Sequence, residues 1–568
     1  MKTELILPAA RIEAETARGR WPNRLFTDYL DAAVAARPDK VAVTDFNSMT
    51  GGGTTLTYGE LRRIVDRIAL GLVARGIEPG DVVSCQLPNW WQFIALHLAC
   101  VRIGAVTNPL MPIFRQRELA FMLGLAESRL MVVPRLFRNC DYPLMLEELR
   151  AGLPHLRDVL VIGGRGAQSF EETLVERLWE DEMDAAAVFR ARKPSPNDLT
   201  QLLYTSGTTG EPKGVMHTAN TLISNVIVYA ERYALTHRDV VLMASPLAHQ
   251  IGFMYGMMLA VMPQAKIVLQ DIWDPEQAVR IIQDHGVTLT KASTSFLADL
   301  TDTPALERHD IGSLRVLISS GAPIPRVLVK RAQQRLDAAI VSAWGMTEFG
   351  AMTSTLLGDP EEKTFGTDGV ALPGAEVRVV DDDGIPLPAG EPGLLQARGA
   401  SGFVGYLKRP ELFATDAEGW FDTGDLACMD GDGYIRIVGR AKDIIIRGGE
   451  NVSVVEIEEL LYRHPAVQDA AVVGMPDPRL GERVCAFVTL RPGATLTFEA
   501  MTGYLGENKM ARQYFPERLE VIDEMPRTPA GKIQKFRLRE VAKTLTPRGA
   551  TRAERPGAKE RAGTGNQC

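Results

Sequence analysis

The chain has 568 residues, of which 45% are hydrophobic and 24% charged, and its formal net charge is −8. This length exceeds what one hydrophobic core supports, and the composition is that of an ordinary globular protein, so we expect several domains and exclude a fibrous or disordered chain. The acidic balance, with no basic tract in the main body, argues against a nucleic-acid partner.

Neither the cysteines nor the N-terminus indicates export. The six cysteines are scattered without CxxC or Cys/His metal-ligand spacing, which favours free thiols in a reducing cytosol. Charged residues interrupt Met1–Arg20, so no signal-peptide core forms there. The most apolar run, Ile251–Met262, is shorter than the roughly 20 residues that span a bilayer. We therefore predict a cytoplasmic protein without a membrane span, with this run in the core.

Short strands alternate with helices in the first part of the chain. Thr57 and Glu60 have capping-box spacing and predict a helix that ends near Gly76. A strand at Val82–Leu87 and a helix at Trp91–Arg102 follow. Further strands are predicted at Leu130–Val133, Val159–Ile162, Val240–Ala244, Lys266–Leu269, Leu314–Ser319 and Ile340–Ala343. This alternation predicts an α/β fold with mostly parallel, helix-covered sheets.

The local composition of the sequence changes near Asp381. The Asp/Gly turns Asp381–Gly384 and Asp430–Gly433 separate short strands, as in antiparallel β structure. The α/β part therefore ends in a β-rich subdomain, and together they form a large N-terminal domain over residues 1–439.

A small α+β domain is predicted over residues 440–545, a span of about 100 residues that is usual for a domain. Its predicted helices and strands are Val454–Arg463, Ala470–Gly474, Val484–Leu490 and Phe498–Asn508. Residues 546–568 are rich in Arg, Gly, Ala and Pro without periodicity, and we predict a disordered tail there.

The strongest local signal is the segment Tyr204–Gly214. Its three glycines, four serine or threonine hydroxyls and Lys213 suit a loop that wraps phosphate oxygens. A flexible Ser/Gly linker is the plainer interpretation, but an apolar strand leads in and Pro212 stiffens the loop. The segment lacks the spacing of a Walker A motif, which argues against P-loop phosphotransfer.

With this loop, the chain resembles the adenylate-forming superfamily of acyl-CoA synthetases, firefly luciferase and peptide-synthetase adenylation domains. Further segments follow in the family's order between about Arg24 and Leu545. They are Ser319–Pro323, Trp344–Glu348, Trp420–Asp425, Gly439–Asp443 and Pro526–Lys532.

The resemblance implies an ATP and AMP site. Trp344 would stack near adenine, Thr347 would contact the α-phosphate, and Glu348 would bind Mg²⁺, a metal that needs few protein carboxylates beside substrate phosphates. Asp425 would bind the ribose hydroxyls, with Arg440 near ribose and phosphates. The remaining nucleotide contacts would be Thr205, Ser206, Gly207, Thr208, Thr209, Lys213, Gly321, Ala322, Pro323, Gly345 and Met346.

The resemblance assigns further roles around the small domain. Lys532 would be the catalytic lysine of adenylation, bridging carboxylate and α-phosphate. Lys442 would be the hinge, where many relatives carry Asp, and Gly448 and Gly449 would reach the coenzyme A tunnel. The pattern Pro-x4-Gly-Lys at Pro526–Lys532 also resembles the recognition site of bacterial lysine acetyltransferases, so Lys532 is an expected acetylation target.

His249 would border the acyl pocket and gate the thiol tunnel, although a lone histidine is more often structural. Met254, Ser293, Thr294 and Ala322 are expected beside it in the acyl pocket. The N-terminal half is most similar to ligases for cyclohexanecarboxylate or other alicyclic and medium-chain acids.

The sequence therefore predicts an AMP-forming acid:CoA ligase that uses ATP, Mg²⁺ and coenzyme A. An adenylating enzyme that loads a carrier protein and a luciferase-like oxygenase remain as alternatives, since they share the adenylation motifs. A non-catalytic acyl-nucleotide-binding protein would be expected to lack Lys532 or Glu348, and both are present.

Overall fold

The computed structural model describes residues 5–205, 212–322, 324–441, 443–447, 450–452, 454–528 and 531–545. Residue contacts divide the chain into two compact units. The first is Met1–Ala441 with Arg527–Ile533, and the second is Lys442–Pro526 with the residues from Gln534 onward. The predicted domain boundary at residue 439 lies two residues before this division. The predicted tail, 546–568, lies outside the described residues.

The first unit contains a nine-stranded sheet whose central strands are parallel. In spatial order its strands are Val370–Ala371, Gly350–Ser354, Ala339–Met346, Val316–Ser319, Leu289–Ala292, Val240–Met243, Lys266–Gln270, Val41–Phe46 and Thr55–Thr57. Antiparallel strands form both edges.

A second, six-stranded sheet in this unit is parallel except for one edge strand. Its spatial order is Lys213–Thr218, Leu199–Thr205, Val106–Pro109, Val82–Cys85, Leu130–Pro134 and Asp158–Ile162. All four residues of Val82–Cys85 are buried, as expected for a strand covered on both faces. The parallel, helix-covered sheets predicted from the sequence are confirmed.

Helices cover these sheets, and their ends follow local sequence rules. The helix Tyr58–Ala74 begins with the predicted capping box: the Glu60 amide donates to Thr57 Oγ1 at 3.2 Å, and the Thr57 amide donates to Glu60 Oε2 at 2.8 Å. The other α-helices of this unit are Ala9–Ala17, Phe26–Ala36, Trp91–Arg102, Gln116–Ala126, Tyr142–Leu149, Ala185–Arg192, Ala219–Arg232, Gln250–Gly252, Leu259–Val261, Pro275–His285, Thr294–Asp302, Arg326–Leu336 and Glu361–Gly366.

The apolar run predicted as core is helical and buried. Gln250–Gly252, the π-helical turn Phe253–Met258 and Leu259–Val261 follow one another without a break, and every residue from Ile251 to Val261 is buried. Among the described residues, no helix combines the length and apolar character needed to cross a bilayer.

The β-rich subdomain is a four-stranded antiparallel sheet. Its strands, in order, are Ala375–Val380, Gly393–Gly399, Phe421–Met429 and Ile435–Arg440. The predicted turn at Asp381–Gly384 follows its first strand, and the turn at Asp430–Gly433 joins its last two. Leu136–Phe137 and Cys140–Asp141 form a separate short hairpin.

The second unit has its own sheet and its own core. The sheet contains the strands Glu450–Val452, Ile445–Arg447, Gly481–Leu490, Val467–Asp477 and Arg518–Val521, and the helices are Val454–Arg463, Phe498–Glu507 and Lys535–Ala542. An apolar cluster that includes Ile457, Val472 and Ala486 fills the space between helices and sheet. The predicted α+β fold of the small domain is confirmed.

Candidate functional site

The predicted phosphate loop is anchored by two antiparallel strands. Leu199–Thr205 leads into it and Lys213–Thr218 leads out, with Thr205 the ladder partner of Lys213. The two ends of the loop therefore lie side by side, which suits a tight anion-binding turn. Ser206, Gly207, Thr208 and Thr209 lie outside the described residues, and their contacts with phosphate stay predictions.

The predicted ribose ligand, Asp425, has a neighbour from each of two other strands. Trp344 Nε1 donates a hydrogen bond to Asp425 Oδ2 at 2.9 Å, and Arg440 Nε lies 2.8 Å from Asp425 Oδ1. Asp425 is only 5% exposed, so these two donors fix the orientation of its carboxylate. Trp344 thus positions the predicted ribose ligand directly, in addition to the stacking role that the sequence implied.

The predicted metal ligand, Glu348, lies in the turn after Trp344–Met346 and is buried. The Tyr406 hydroxyl donates to Glu348 Oε1 at 2.7 Å, and Lys213 Nζ lies 4.9 Å from the centre of the Tyr406 ring. Burial raises the pKa of Glu348, and the hydrogen bond from Tyr406 and the charges of Lys213 and Arg440 oppose that rise. The folded chain therefore brings the predicted phosphate, metal and ribose groups together.

These surroundings fit a magnesium ion that is shared with substrate phosphates. The Glu348 carboxylate has the Tyr406 hydroxyl as its side-chain hydrogen-bond partner, and Lys213 and Arg440 are the cations that act on it. The described part of the chain contains no group of three or more His, Cys, Asp or Glu side chains that could hold a metal by itself. Mg²⁺ commonly binds through one or two carboxylates and the substrate.

Thr347, the predicted α-phosphate contact, is held through its backbone. Its carbonyl oxygen accepts hydrogen bonds from His217 Nε2 at 2.8 Å and from Gln250 Nε2 at 3.4 Å. Burial lowers the pKa of His217 to about 4, so this histidine is neutral at pH 7 and donates as a neutral imidazole.

The predicted adenine-side loop contacts the helical segment that follows His249. Gly321 has a φ of +88°, and a Cβ built on it would lie 3.4 Å from Ile251 Cδ1. A residue with a side chain would therefore be strained in its backbone, although its Cβ would make only an ordinary van der Waals contact with Ile251. Ala322 follows in the same loop and is half-buried, whereas Pro323 lies outside the described residues.

The predicted acyl-pocket residues lie at the ends of neighbouring elements. Ser293 and Thr294 follow the strand Leu289–Ala292 and are buried, and Met254 is buried on the π-helical turn. His249 caps the helix at Gln250, with Nδ1 accepting from the Ile251 amide at 3.2 Å. Burial lowers the pKa of His249 to about 4, and the charges of Lys532 and Lys291 act in the same direction.

The loop that carries Lys532 belongs to the first compact unit. Ser295 Oγ donates to the Gly531 carbonyl at 3.3 Å, and a Cβ on Gly531 would lie 2.3 Å from Ser293 Oγ. Lys532 is exposed, and its amide donates to Thr528 Oγ1 at 3.0 Å. Lys532 therefore joins the group of predicted site residues. Lys442, Gly448 and Gly449 lie outside the described residues.

Tyr406, His217 and Gln250 were missed from the sequence. They lie outside the quoted nucleotide motifs, and their roles depend on contacts with Glu348 and Thr347 across more than 50 positions. Of these three residues, only Gln250 could have been suggested by the sequence, because it directly follows His249, which was already predicted to border the acyl pocket.

Comparison with known proteins agrees with this geometry. Residues 30–407 match the family model of the AMP-binding enzyme, and residues 456–532 match that of the AMP-binding enzyme C-terminal domain. A medium-chain fatty-acid–CoA ligase of Escherichia coli (strain K12) is 36% identical over 96% of this chain and 95% of its own length.

Two further relatives show the same full-length similarity. A 3-[(3aS,4S,7aS)-7a-methyl-1,5-dioxo-octahydro-1H-inden-4-yl]propanoyl:CoA ligase of Mycobacterium tuberculosis (strain ATCC 25618 / H37Rv) is 33% identical over 90% of this chain and 98% of its own length. The crystal structure of ATP-bound MatB from Rhodopseudomonas palustris superposes with a TM-score of 0.79 at 28% identity, covering 92% of this chain and 99% of MatB.

Proposed function

This chain belongs to the AMP-binding enzyme family and is an AMP-forming acyl-CoA ligase, and from that premise we propose that its substrate is a medium-chain or alicyclic carboxylic acid. The observation that carries the proposal is the similarity, over 96% of this chain, to a relative named for medium-chain fatty acids. A second relative, named for an acid with a fused-ring substituent, supports room for a ring.

The first half-reaction forms an acyl-adenylate. A carboxylate oxygen of the acid bonds to the α-phosphorus of ATP while the bond to the bridging oxygen breaks and pyrophosphate leaves. We assign Lys213 and Lys532 to the negative charge that grows on the phosphate oxygens, because positive side chains stabilise such a transition state. Thr347 contacts the α-phosphate, and Asp425, fixed by Trp344, holds the ribose.

Mg²⁺, bound with ATP at Glu348, would supply charge neutralisation on the phosphates. The chain's own contribution is to hold this carboxylate in place. Tyr406 does so through its 2.7 Å hydrogen bond, and the backbone of Phe403 donates to the Glu348 carbonyl at 2.8 Å.

The second half-reaction transfers the acyl group to coenzyme A. The thiol loses its proton, sulfur bonds to the acyl carbon, and AMP leaves with the electrons of the broken C–O bond. His249, with a pKa of about 4, is a weak base at neutral pH, so we assign the thiol proton to solvent and His249 to gating. We propose that Lys442 is the hinge between the two half-reactions and that Gly448 and Gly449 reach the thiol path.

The test is an acid panel assayed for pyrophosphate release with and without coenzyme A, with thioester detected by mass spectrometry. We expect octanoate or cyclohexanecarboxylate to give acid-dependent pyrophosphate release, and thioester only when coenzyme A is present. If pyrophosphate is released but coenzyme A gives no thioester, and a thioester forms only on an added acyl carrier protein, the enzyme loads a carrier protein instead.

We also propose that a lysine acetyltransferase acts on Lys532, whose exposed side chain is accessible to a modifying enzyme. Acetylation would remove the positive charge assigned to adenylation. Incubation with a bacterial lysine acetyltransferase and acetyl-CoA, followed by peptide mass mapping, should show modified Lys532 and loss of adenylation. An unmodified lysine, or a modified enzyme with full activity, would contradict this.

A further inference from the structure

Lys291 is a lysine buried in the core of the first unit. It lies on the strand Leu289–Ala292, is 2% exposed, and donates from Nζ to the Tyr229 hydroxyl at 3.0 Å. The same Nζ lies 3.4 Å from the centre of the Tyr255 ring and 4.4 Å from that of Tyr229. The described residues place no carboxylate within ion-pair distance of it.

Burying this amine without a counter-ion costs folding free energy unless a further group binds it. Burial lowers the pKa of Lys291 well below its usual value, because a charge without a counter-ion is poorly solvated in the core. Among the described residues, the Tyr229 hydroxyl is the one oxygen that accepts from this amine, and the faces of the Tyr255 and Tyr229 rings also lie beside Nζ. The amine therefore retains capacity to bind an oxygen acceptor.

The Tyr255 hydroxyl cannot rotate to become a further acceptor for the Lys291 amine. The Tyr255 hydroxyl donates to Asn225 Oδ1 at 2.6 Å and also accepts from the Ala351 amide. Both interactions are buried, so breaking them would leave unpaired polar groups in the core. The Tyr255 ring is therefore held in place beside the amine.

The predicted acyl-pocket residues lie next to Lys291. Its strand continues directly into Ser293 and Thr294, and Tyr255 follows Met254 on the π-helical turn. Lys291 is also close enough to His249 for its charge to lower the pKa of that histidine. Ser293, Thr294 and Met254 are therefore chain neighbours of Lys291 and of the tyrosine ring beside its amine, and His249 lies within reach of its charge.

We propose that Lys291 selects acids that carry an oxygen acceptor at a distance from the reacting carboxylate, either a second carboxylate or an oxo group on a ring. This inference rests on the proposed ligase function. An oxygen acceptor takes a hydrogen bond from the buried amine, and a carboxylate additionally provides its counter-ion. A plain hydrocarbon end leaves the amine desolvated and unpaired, so it binds less well.

The test uses two matched pairs of acids with the full-length enzyme: octanoate with octanedioate, and cyclohexanecarboxylate with 4-oxocyclohexanecarboxylate. In the wild type we expect kcat/KM for the oxygenated member of at least one pair to exceed that of its partner by about tenfold or more. Preference for octanedioate alone identifies a second carboxylate, and preference for the oxo acid alone identifies a ring oxygen.

Lys291→Met should abolish this preference by lowering kcat/KM for the oxygenated acid while that for the hydrocarbon acid is kept or raised. Lys266→Met is the control, since Lys266 is half-buried and pairs with His285 at 2.9 Å instead. If Lys291→Met fails to fold, the wild-type ratio of kcat/KM within each pair of acids tests the proposal by itself. Turnover of both hydrocarbon acids without any preference overturns the Lys291 proposal and leaves the ligase function standing. Absence of pyrophosphate release with all four acids overturns both.

Discussion

Lys532 contributes one positive charge from an exposed position on the Arg527–Ile533 loop. We expect Lys532→Ala to slow adenylation by about 100-fold or more, because a preorganised charge at the transition state has an effect of that order. Thioester formation from a supplied acyl-adenylate should change far less. Pyrophosphate release and thioester formation, measured separately, check this.

Lys543→Ala is the matched control for Lys532. Lys543 is also exposed and is paired with Glu540, so its removal should leave both half-reactions unchanged. Equal losses in the two half-reactions of Lys532→Ala would remove Lys532 from its assigned role.

Trp344 acts through its indole N–H on Asp425. We expect Trp344→Phe to keep the aromatic face but remove the hydrogen bond, raising the KM for ATP about fivefold and leaving the KM for the acid nearly unchanged. Steady-state kinetics with each substrate varied in turn measure both constants.

Trp179→Phe is the control for that experiment. Trp179 is similarly buried and donates from Nε1 to the Thr173 carbonyl at 2.8 Å, among the residues that pack beside the helix Tyr58–Ala74. Trp179→Phe should lose about as much stability as Trp344→Phe, with no effect on the KM for ATP. If both variants raise the KM for ATP equally, the effect is one of general stability, and Trp344 has no positioning role.

At the scale of elements, the turn from Pro246 to Gly252 sets the position of His249. A Cβ built on Gly252 would lie 2.2 Å from the Pro246 carbonyl oxygen, and a backbone atom so close cannot rotate away. We expect Gly252→Ala to displace this turn and lower kcat/KM for the acid about tenfold or more, with some loss of stability.

Gly366→Ala is the control for the turn, because a Cβ there would meet no atom within 4 Å. Its kinetics and melting temperature should match those of the wild type. Wild-type kinetics in Gly252→Ala would show that the Pro246–Gly252 turn does not shape the acyl pocket.

Local sequence signals predicted elements well where the cause of the element is local. The helices Trp91–Arg102 and Val454–Arg463 have the predicted bounds, and the capping box at Thr57 forms as expected. Strand ends were less accurate: Ala470–Gly474 extends in the structure to Val467–Asp477, because pairing with the neighbouring strand continues beyond the apolar run.

Long-range contacts could not be predicted in this way. The motifs predict which groups bind the nucleotide, but the hydrogen bond of Tyr406 to Glu348 depends on how two distant segments pack. The same holds for the Arg527–Ile533 loop, which follows the predicted boundary by almost 90 positions and yet belongs to the first compact unit. Spacing along the chain carries no information about such contacts.

At the scale of the whole molecule, buried histidines tie stability to pH. Burial lowers the pKa from 6.5 to about 3 for His97 and to about 4 for His217 and His249. As pH falls below 6.5 the unfolded chain takes up these protons and the folded chain does not, so the free energy of unfolding decreases until the pH reaches the folded-state values. At pH 5 each histidine contributes a loss of about 2 kcal/mol.

Denaturant unfolding of the first unit at pH 7 and pH 5 measures this loss. His97→Asn should reduce the difference between the two pH values, because it removes one of the three groups, whereas His155→Asn, at an exposed position, should not. An unchanged difference in His97→Asn would show that other groups control the acid sensitivity.

The pairing of Asp425 with Arg440 has one more consequence. Arg440 is the last residue of its strand, and the chain leaves the first unit one residue later, after Ala441. The final rung of this ladder thus joins Asp425, the predicted ribose ligand, to the strand that ends at the boundary. We expect the amide protons of that rung to exchange with deuterium more slowly when AMP is bound, so that nucleotide occupancy reduces fraying at the edge from which the second unit begins.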